Sequence, residues 1–277
     1  MGINLKKARD FVYAQGRLWE QAAYAYLFQE GALGRVHACL RCYKNADNGF
    51  GHGLEHDIST PESHPLALEY LLTVMVREWA IPVGDVFAGA AAWCEANRAD
   101  DGALTNPPSV LEYPHAPWWN EGGQSTPDSI AGNLAALGLL TPSLAESTRR
   151  WVQANLTLQH IRENEWLFMA YHGYDYYMNV DDFPDVEMYR GAVVDNIRAC
   201  AESAPESQYA SLLSFAPMPE SRVAKAMPKL VERSLDYLTE TQADDGRWRD
   251  QHDLAHWQPA TTISALRALG RHGRLEG

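Results

Sequence analysis

Asn45-Ala46-Asp47-Asn48-Gly49-Phe50, Asn97-Arg98-Ala99-Asp100-Asp101-Gly102-Ala103 and Gln242-Ala243-Asp244-Asp245-Gly246-Arg247-Trp248 share one pattern: an amide residue, a short gap, an acidic or amide pair, then glycine. The glycines stand 53 and then 144 residues apart, and 144 is three steps of 48. Self-similarity at such a period marks a repeat architecture, and five to six units of ~50 residues would fill the chain, the middle ones having lost the signature.

Each copy lies between two helical patterns. Ahead of the first, Leu33, Val36, Leu40 and Tyr43 recur at helical spacing on an otherwise polar segment, which describes an amphipathic outer helix. After it, Pro65 to Val76 is apolar nearly all round, as a helix buried on both sides must be. The same order recurs as Val83–Asn97 then Ser129–Leu140, and as Leu230–Gln242 then Ala260–Leu269. Thr60-Pro61-Glu62, Thr126-Pro127-Asp128 and Thr141-Pro142-Ser143 read as helix starts, because proline at the first turn forgoes only a donor that would be orphaned there. No run of β-branched residues alternates with polar ones. The sequence therefore predicts an all-α chain, a single domain over 1–277, built as an α/α toroid of five to six hairpins with inner and outer helix rings. Glycine loops at the inner-helix N-termini would gather at the mouth of a central cavity, where helix dipoles favour anions and carboxylates.

Composition narrows the function. The formal charge of −13 disfavours a phosphate-backbone partner, since that binding rests on Lys and Arg displacing counterions, so nucleic acid is not expected. Met1 to Lys7 carries no apolar signal core and no apolar stretch reaches the length of a span, so neither a secretion signal nor an integral membrane segment is expected. Four scattered cysteines, Cys39, Cys42, Cys94 and Cys200, do not make a disulfide framework, which fits the cytoplasm. Nine Trp, 13 Tyr and 7 Phe exceed what a plain helical bundle needs, and many should line a site for a small molecule. Gly-x-Ser-x-Gly, phosphate-loop and dinucleotide fingerprints are all missing, which disfavours acyl-enzyme, NTPase and nicotinamide chemistry.

Asn45–Pro65 resembles the Gly-Gly-Phe loop and following inner helix of the terpenoid cyclase and protein prenyltransferase β-subunit toroid superfamily. Leu238–Trp248 with Pro259–Leu269 resembles the Gln-to-Trp repeats of squalene–hopene-type cyclases, and short stand-alone bacterial prenyltransferase-like proteins are the nearest pattern. The resemblance implies a toroid and a terpene cyclase-like or transferase activity on an apolar isoprenoid-like or polyene substrate. Departures matter: Asp181-Asp182 lacks the first Asp of the cyclases' Asp-x-Asp-Asp acid motif, and the region of Asp250–His256 lacks the Cys of the prenyltransferases' zinc set.

Four segments could carry chemistry. In Gly51–Asp57, Asp57 and Glu55 are candidate general acids beside a dry cavity, oriented by His52, with His56 near substrate; alternatively, both carboxylates bind loop amides or cap the next helix. His52, His56, Asp57 and His64 with Cys39 and Cys42 include zinc-ligand types, but Cys39-x-x-Cys42 falls in a helical pattern, so no cofactor is expected. Tyr113–Glu121 places His115, Trp118 and Trp119 in the longest loop, as a wall over substrate or as a plug of the toroid. Trp166–Asp182 places Phe168, Tyr171 and Asp175 on one helix face, with Tyr174 beside them; such a stripe suits a cation, a sugar ring or plain core. Arg249–Trp257 supplies His256 and Trp257, with Pro259 arguing for a loop. Glu69, alone in an apolar inner helix, should be strongly perturbed unless an arginine pairs with it. The leading expectation is proton-initiated cyclisation; a carbohydrate-active or sugar-binding toroid and a non-catalytic binding toroid are the alternatives.

Overall fold

The three quoted loops are one structural unit used three times. A computed structural model describes residues 2–120 and 124–275. In it, Asn45 N–H bonds the Gly49 carbonyl, Ala99 N–H that of Ala103, and Ala243 N–H that of Arg247, each at 2.9 Å. Inside each turn an aspartate folds back on the amide two residues on: Asp47 on Gly49, Asp101 on Ala103, Asp245 on Arg247. The residue with positive φ is Asn48 (72°), Gly102 (91°) and Gly246 (96°). The first copy is thus shifted by one from the glycine alignment, because asparagine takes the left-handed conformation nearly as readily as glycine. Every loop ends on a buried apolar residue, Phe50, Leu104 or Trp248.

The described chain is all-helical apart from short bridges and one two-residue antiparallel pair, β1 (Leu104–Thr105) with β2 (Gln124–Ser125). The helices are α1 (Leu5–Gln15), α2 (Leu18–Phe28), α3 (Leu33–Arg41), α4 (Pro65–Leu72), α5 (Ala90–Asn97), α6 (Pro127–Ala136), α7 (Pro142–Asn155), α8 (Leu158–Glu163), α9 (Tyr171–Asn179), α10 (Val186–Ser203), α11 (Tyr209–Phe215), α12 (Arg222–Ala226), α13 (Pro228–Glu240) and α14 (Gln258–Arg271). None is long and apolar enough to cross a membrane among the described residues. The four cysteines are free thiols.

Contacts divide the chain into two compact units, one of residues 1–39, 164–169 and 194–277, the other of residues 40–163 and 170–193. In the first, α14 packs against both α2 and α11, with α1 and α13 alongside. In the second, α6 packs against both α4 and α9, and α7 against α5 and α6. Each unit therefore holds a row of three packed helices, α2, α14 and α11 in the first and α4, α6 and α9 in the second.

Local chemistry explains where helices start. Pro127 and Pro142 begin α6 and α7 as expected, and Thr141 caps α7 by accepting from Leu144 N–H. Thr60-Pro61-Glu62 does not start a helix. That stretch lies on the first loop, where Asn45 Nδ2 donates to the Pro61 carbonyl and His64 N–H to the Phe50 carbonyl. Gly51 is so close to it that a Cβ would stand 2.2 Å from the Glu62 carbonyl oxygen. The helix waits until Pro65, capped by His64 Nδ1 accepting from Ala67 N–H. The helix expected from Val83 begins only at Ala90, since Gly84 and Gly89 both adopt positive φ. After α4, residues Thr73–Glu78 form a π-helix, a wider turn that is rare and concentrates at functional sites.

Candidate functional site: a buried acid–base cluster

Every residue of α4 except Tyr70 is buried, and one of them is Glu69. Burying Leu66, Leu68, Leu71 and Leu72 contributes about 2 kcal/mol apiece. That offsets the burial of a neutral carboxyl, not of an isolated ionised one. Glu69 accordingly keeps its proton: desolvation, with the nearby charges of Asp128 and Asp175, pushes its pKa up to about 8, against the pull of His172. Its Oε2 receives the Tyr171 hydroxyl at 3.3 Å, while buried Oε1 has no hydrogen-bond partner among the described residues.

The neighbours of Glu69 come from α6 and α9. One glycine lets these helices meet: a Cβ on Gly132 would stand 2.0 Å from the Asp175 carbonyl oxygen. Gly173, on the α9 side, lets that helix approach α10, where a Cβ would stand 3.0 Å from Val193. At the start of α6, Asp128 Oδ2 lies 3.1 Å from His172 Nδ1, and Thr126 Oγ1 shares a hydrogen bond with the same nitrogen at 3.0 Å. Thr126 is in the N-cap position of α6, yet its side chain makes no cap bond. Its hydroxyl serves the histidine instead. Burial alone would lower the His172 pKa, but the Asp128 charge and hydrogen bond override it and raise it to about 9. Burial would raise Asp128, and the same imidazolium wins there too, holding it below its ordinary range. Each partner keeps the other charged.

One turn along, Asp175 accepts from Ser129 Oγ at 2.7 Å and Asn133 Nδ2 at 3.0 Å and pairs with Arg77 Nη1 at 3.1 Å. Desolvation still leaves its pKa raised despite these partners. Arg77 comes from the π-helix and lies 6.0 Å from the Tyr171 ring and 5.8 Å from that of Tyr174. Burial raises the Tyr174 hydroxyl to about 12 and Tyr171 well above its usual value. The cluster thus holds the His172–Asp128 ion pair, the Arg77–Asp175 contact and a carboxyl, Glu69, that keeps its proton near neutral pH.

Among the sequence candidates, the cluster contains Tyr171, Tyr174 and Asp175, and Glu69, which stood out as a lone acid. Arg77, Asp128, Thr126 and His172 were not singled out for it. His172 lay inside a quoted segment, and Thr126-Pro127-Asp128 was read only as a helix start. Phe168 does not join the stripe: a 3-10 turn, Phe168–Ala170, precedes α9 and leaves its ring 44% exposed.

The other candidates sit elsewhere. Glu55 is buried and its Oε2 accepts from the Asp57 amide; Asp57 accepts from Trp118 Nε1 at 3.1 Å. His52 is exposed, with positive φ, and its Nε2 meets Asn45 Oδ1 at 2.9 Å. His56 is buried edge-on to Tyr70. His115 bridges to Ile58 through the backbone and to Asn120 through Nε2, while Trp119 packs on Ile58, Leu66 and Val110 and Trp118 stays 55% exposed. Glu121 lies outside the described residues. His256 and Trp257 belong to the other unit, their rings 6.3 Å apart. Among the described residues no three His, Cys, Asp or Glu side chains are placed to hold a metal ion.

No protein-family model matches the chain, and no curated protein matches its sequence.

Proposed function

We propose that this chain is an enzyme that acts by general-acid catalysis on a small, uncharged, largely apolar molecule, with Glu69 as proton donor. One observation carries the reading: a carboxyl that is buried and protonated at neutral pH, with one oxygen held by Tyr171 and the other without a partner. Keeping a carboxylic acid neutral by burial is how one fold supplies an acid at pH 7. Tyr171, whose hydroxyl donates to Glu69, adds an aromatic ring beside the acid. A carboxyl that holds its proton to about pH 8 is matched to an oxygen or nitrogen atom more than to an isolated double bond. The substrate we favour is therefore an isoprenoid-like or polyene molecule carrying such an atom, cyclised or cleaved after protonation.

The scaffold reading goes with it: six hairpins, α1/α2, α3/α4, α5/α6, α7/α9, α10/α11 and α13/α14, would close as a single α/α toroid. The sugar-directed reading is supported by the two further carboxylates, Asp128 and Asp175, since glycoside hydrolysis needs a second acid.

The test is product analysis after incubation with linear prenyl alcohols, ethers and epoxides, and in parallel with aryl glycosides. Turnover that Glu69→Gln reduces at least 100-fold supports the reading. Turnover that Glu69→Gln leaves intact sinks Glu69 as the donor, and turnover of glycosides alone moves the substrate class to sugars.

A further inference from the structure

Delivering a proton leaves a carboxylate behind, and a buried carboxylate needs a cation that is already in place. His172 meets that need on three geometric grounds. Its Nδ1 is held from two sides, by Asp128 Oδ2 at 3.1 Å and Thr126 Oγ1 at 3.0 Å. Its ring lies 4.0 Å, centroid to centroid, from Tyr171, whose hydroxyl donates to Glu69. Its Nε2, the other end of the ring, makes no hydrogen bond among the described residues. The Thr126 hydroxyl sits where it would cap α6 and clamps the ring instead.

We infer that His172 is a positioning residue for the Glu69 acid: clamped as an imidazolium by Asp128 and Thr126, it stabilises the carboxylate that remains when Glu69 gives up its proton. The inference rests on the proposed role of Glu69 as donor. In the step, the Glu69 O–H bond breaks, its proton goes to a substrate heteroatom, and the electron pair stays on the carboxylate, which the Tyr171 hydroxyl joins to the ring packed against His172. A proton released later in the reaction restores the acid. The groups that act on Glu69 from the packed elements are His172, Tyr171 and Asp175 on α9 and Asp128 on α6. Of these His172 is the cation, and the Asp128 and Asp175 charges oppose ionisation.

The test reads Glu69 directly, without a substrate. The infrared carbonyl band of its protonated carboxyl, isolated by subtracting the Glu69→Gln spectrum, is followed from pH 5 to 11. In the parent protein the band should fade near pH 8. In His172→Gln it should persist at least about one pH unit higher, because the stabilising cation is gone. Thr126→Val, which keeps size and burial, should move the band the same way by less, and it serves alone if His172→Gln does not fold. Tyr171→Phe, which removes a hydrogen bond but no charge, sets the scale of a purely local change. A midpoint that stays put in every folded His172 and Thr126 variant overturns the inference. The proposed function fails separately, through turnover that survives Glu69→Gln, and that outcome leaves this titration as informative as before.

Discussion

The row α2, α14, α11 and the row α4, α6, α9 are built alike, each a middle helix packed between two others and α4, α6 and α14 opening with proline in the first turn, yet they bury different things. In the first row the buried polar groups are Glu20, Gln258 and Thr262. Glu20 closes a capping box with Arg17, Gln258 donates to Asp253 in the preceding turn, and Thr262 accepts the Trp248 amide of the third loop. All three finish local structure. In the second row the buried polar groups are Glu69, Asp128, Ser129, Asn133 and Asp175, and they meet groups from different helices and the π-turn. Packing alone asks for none of this, since well-packed apolar residues often replace buried ion pairs at no loss of stability. The difference separates polar groups that finish a local turn or cap from polar groups that join one helix to another.

The most damaging way to break the second row is at its closest approach. Gly132→Ala puts a methyl carbon 2.0 Å from the Asp175 carbonyl, a backbone atom that cannot step aside. Overpacking costs about 1–3 kcal/mol and sometimes more, and the upper end is expected here. Because α6 and α9 must part, the His172–Asp128 pair that joins them loosens, so a loss measured by chemical denaturation should be accompanied by a lowered His172 pKa in imidazole NMR. A destabilised variant with an unmoved histidine would show that helix contact and charge cluster are independent.

The matching break in the first row is milder and carries no charge signature. Thr262→Val removes the oxygen that accepts the buried Trp248 amide at 3.1 Å. An amide stranded in this way costs about 1–3 kcal/mol. Denaturation midpoints should drop by the same amount at pH 6 and pH 9, whereas every lesion in the second row should depend on pH. A pH-dependent loss in Thr262→Val would erase the distinction between the rows.

How far this was legible in the sequence follows the same division. The loops were legible because their chemistry is local: an aspartate two residues before an amide and a residue able to take positive φ. Even there the register slipped by one, since Asn48 does the work that glycine does in the other copies. Helix type and burial were legible from periodicity, as α4 and α14 show. Thr60-Pro61 failed as a start because Asn45, 16 residues before Pro61, claims it, and no local rule contains that information. Glu69 stood out because an acid in an apolar helix has no local excuse. Asp128 and His172, 44 residues apart, did not, because each alone reads as something ordinary: a first-turn aspartate and one histidine of ten. The site is a coincidence of three helices, and only the α6–α9 packing reveals it.

The smallest effect per step, but the one that discriminates most finely, is the pH dependence of stability. Glu69 is raised from 4.5 to about 8 and His172 from 6.5 to about 9 in the folded protein. Between the unfolded and folded values the native state binds the extra proton, so stability falls as pH rises, by about 1.4 kcal/mol per pH unit for each such proton. His64, whose burial lowers it from 6.5 to about 4, works in the opposite sense between those values, because there the unfolded chain binds the extra proton. From about pH 4.5 to 6.5 Glu69 and His64 therefore oppose each other and the profile is shallow. From 6.5 to 8 Glu69 and His172 act together and the fall is steepest; from 8 to 9 His172 acts alone. Denaturation midpoints in Glu69→Gln should show about half the parent's fall between pH 6.5 and 8 and an equal one between 8 and 9. Thr262→Val should keep the parent's shape throughout. A Glu69→Gln profile as steep as the parent's from 6.5 to 8 would mean that Glu69 is ionised in the folded protein, a buried carboxylate whose desolvation the apolar burial of α4 does not offset.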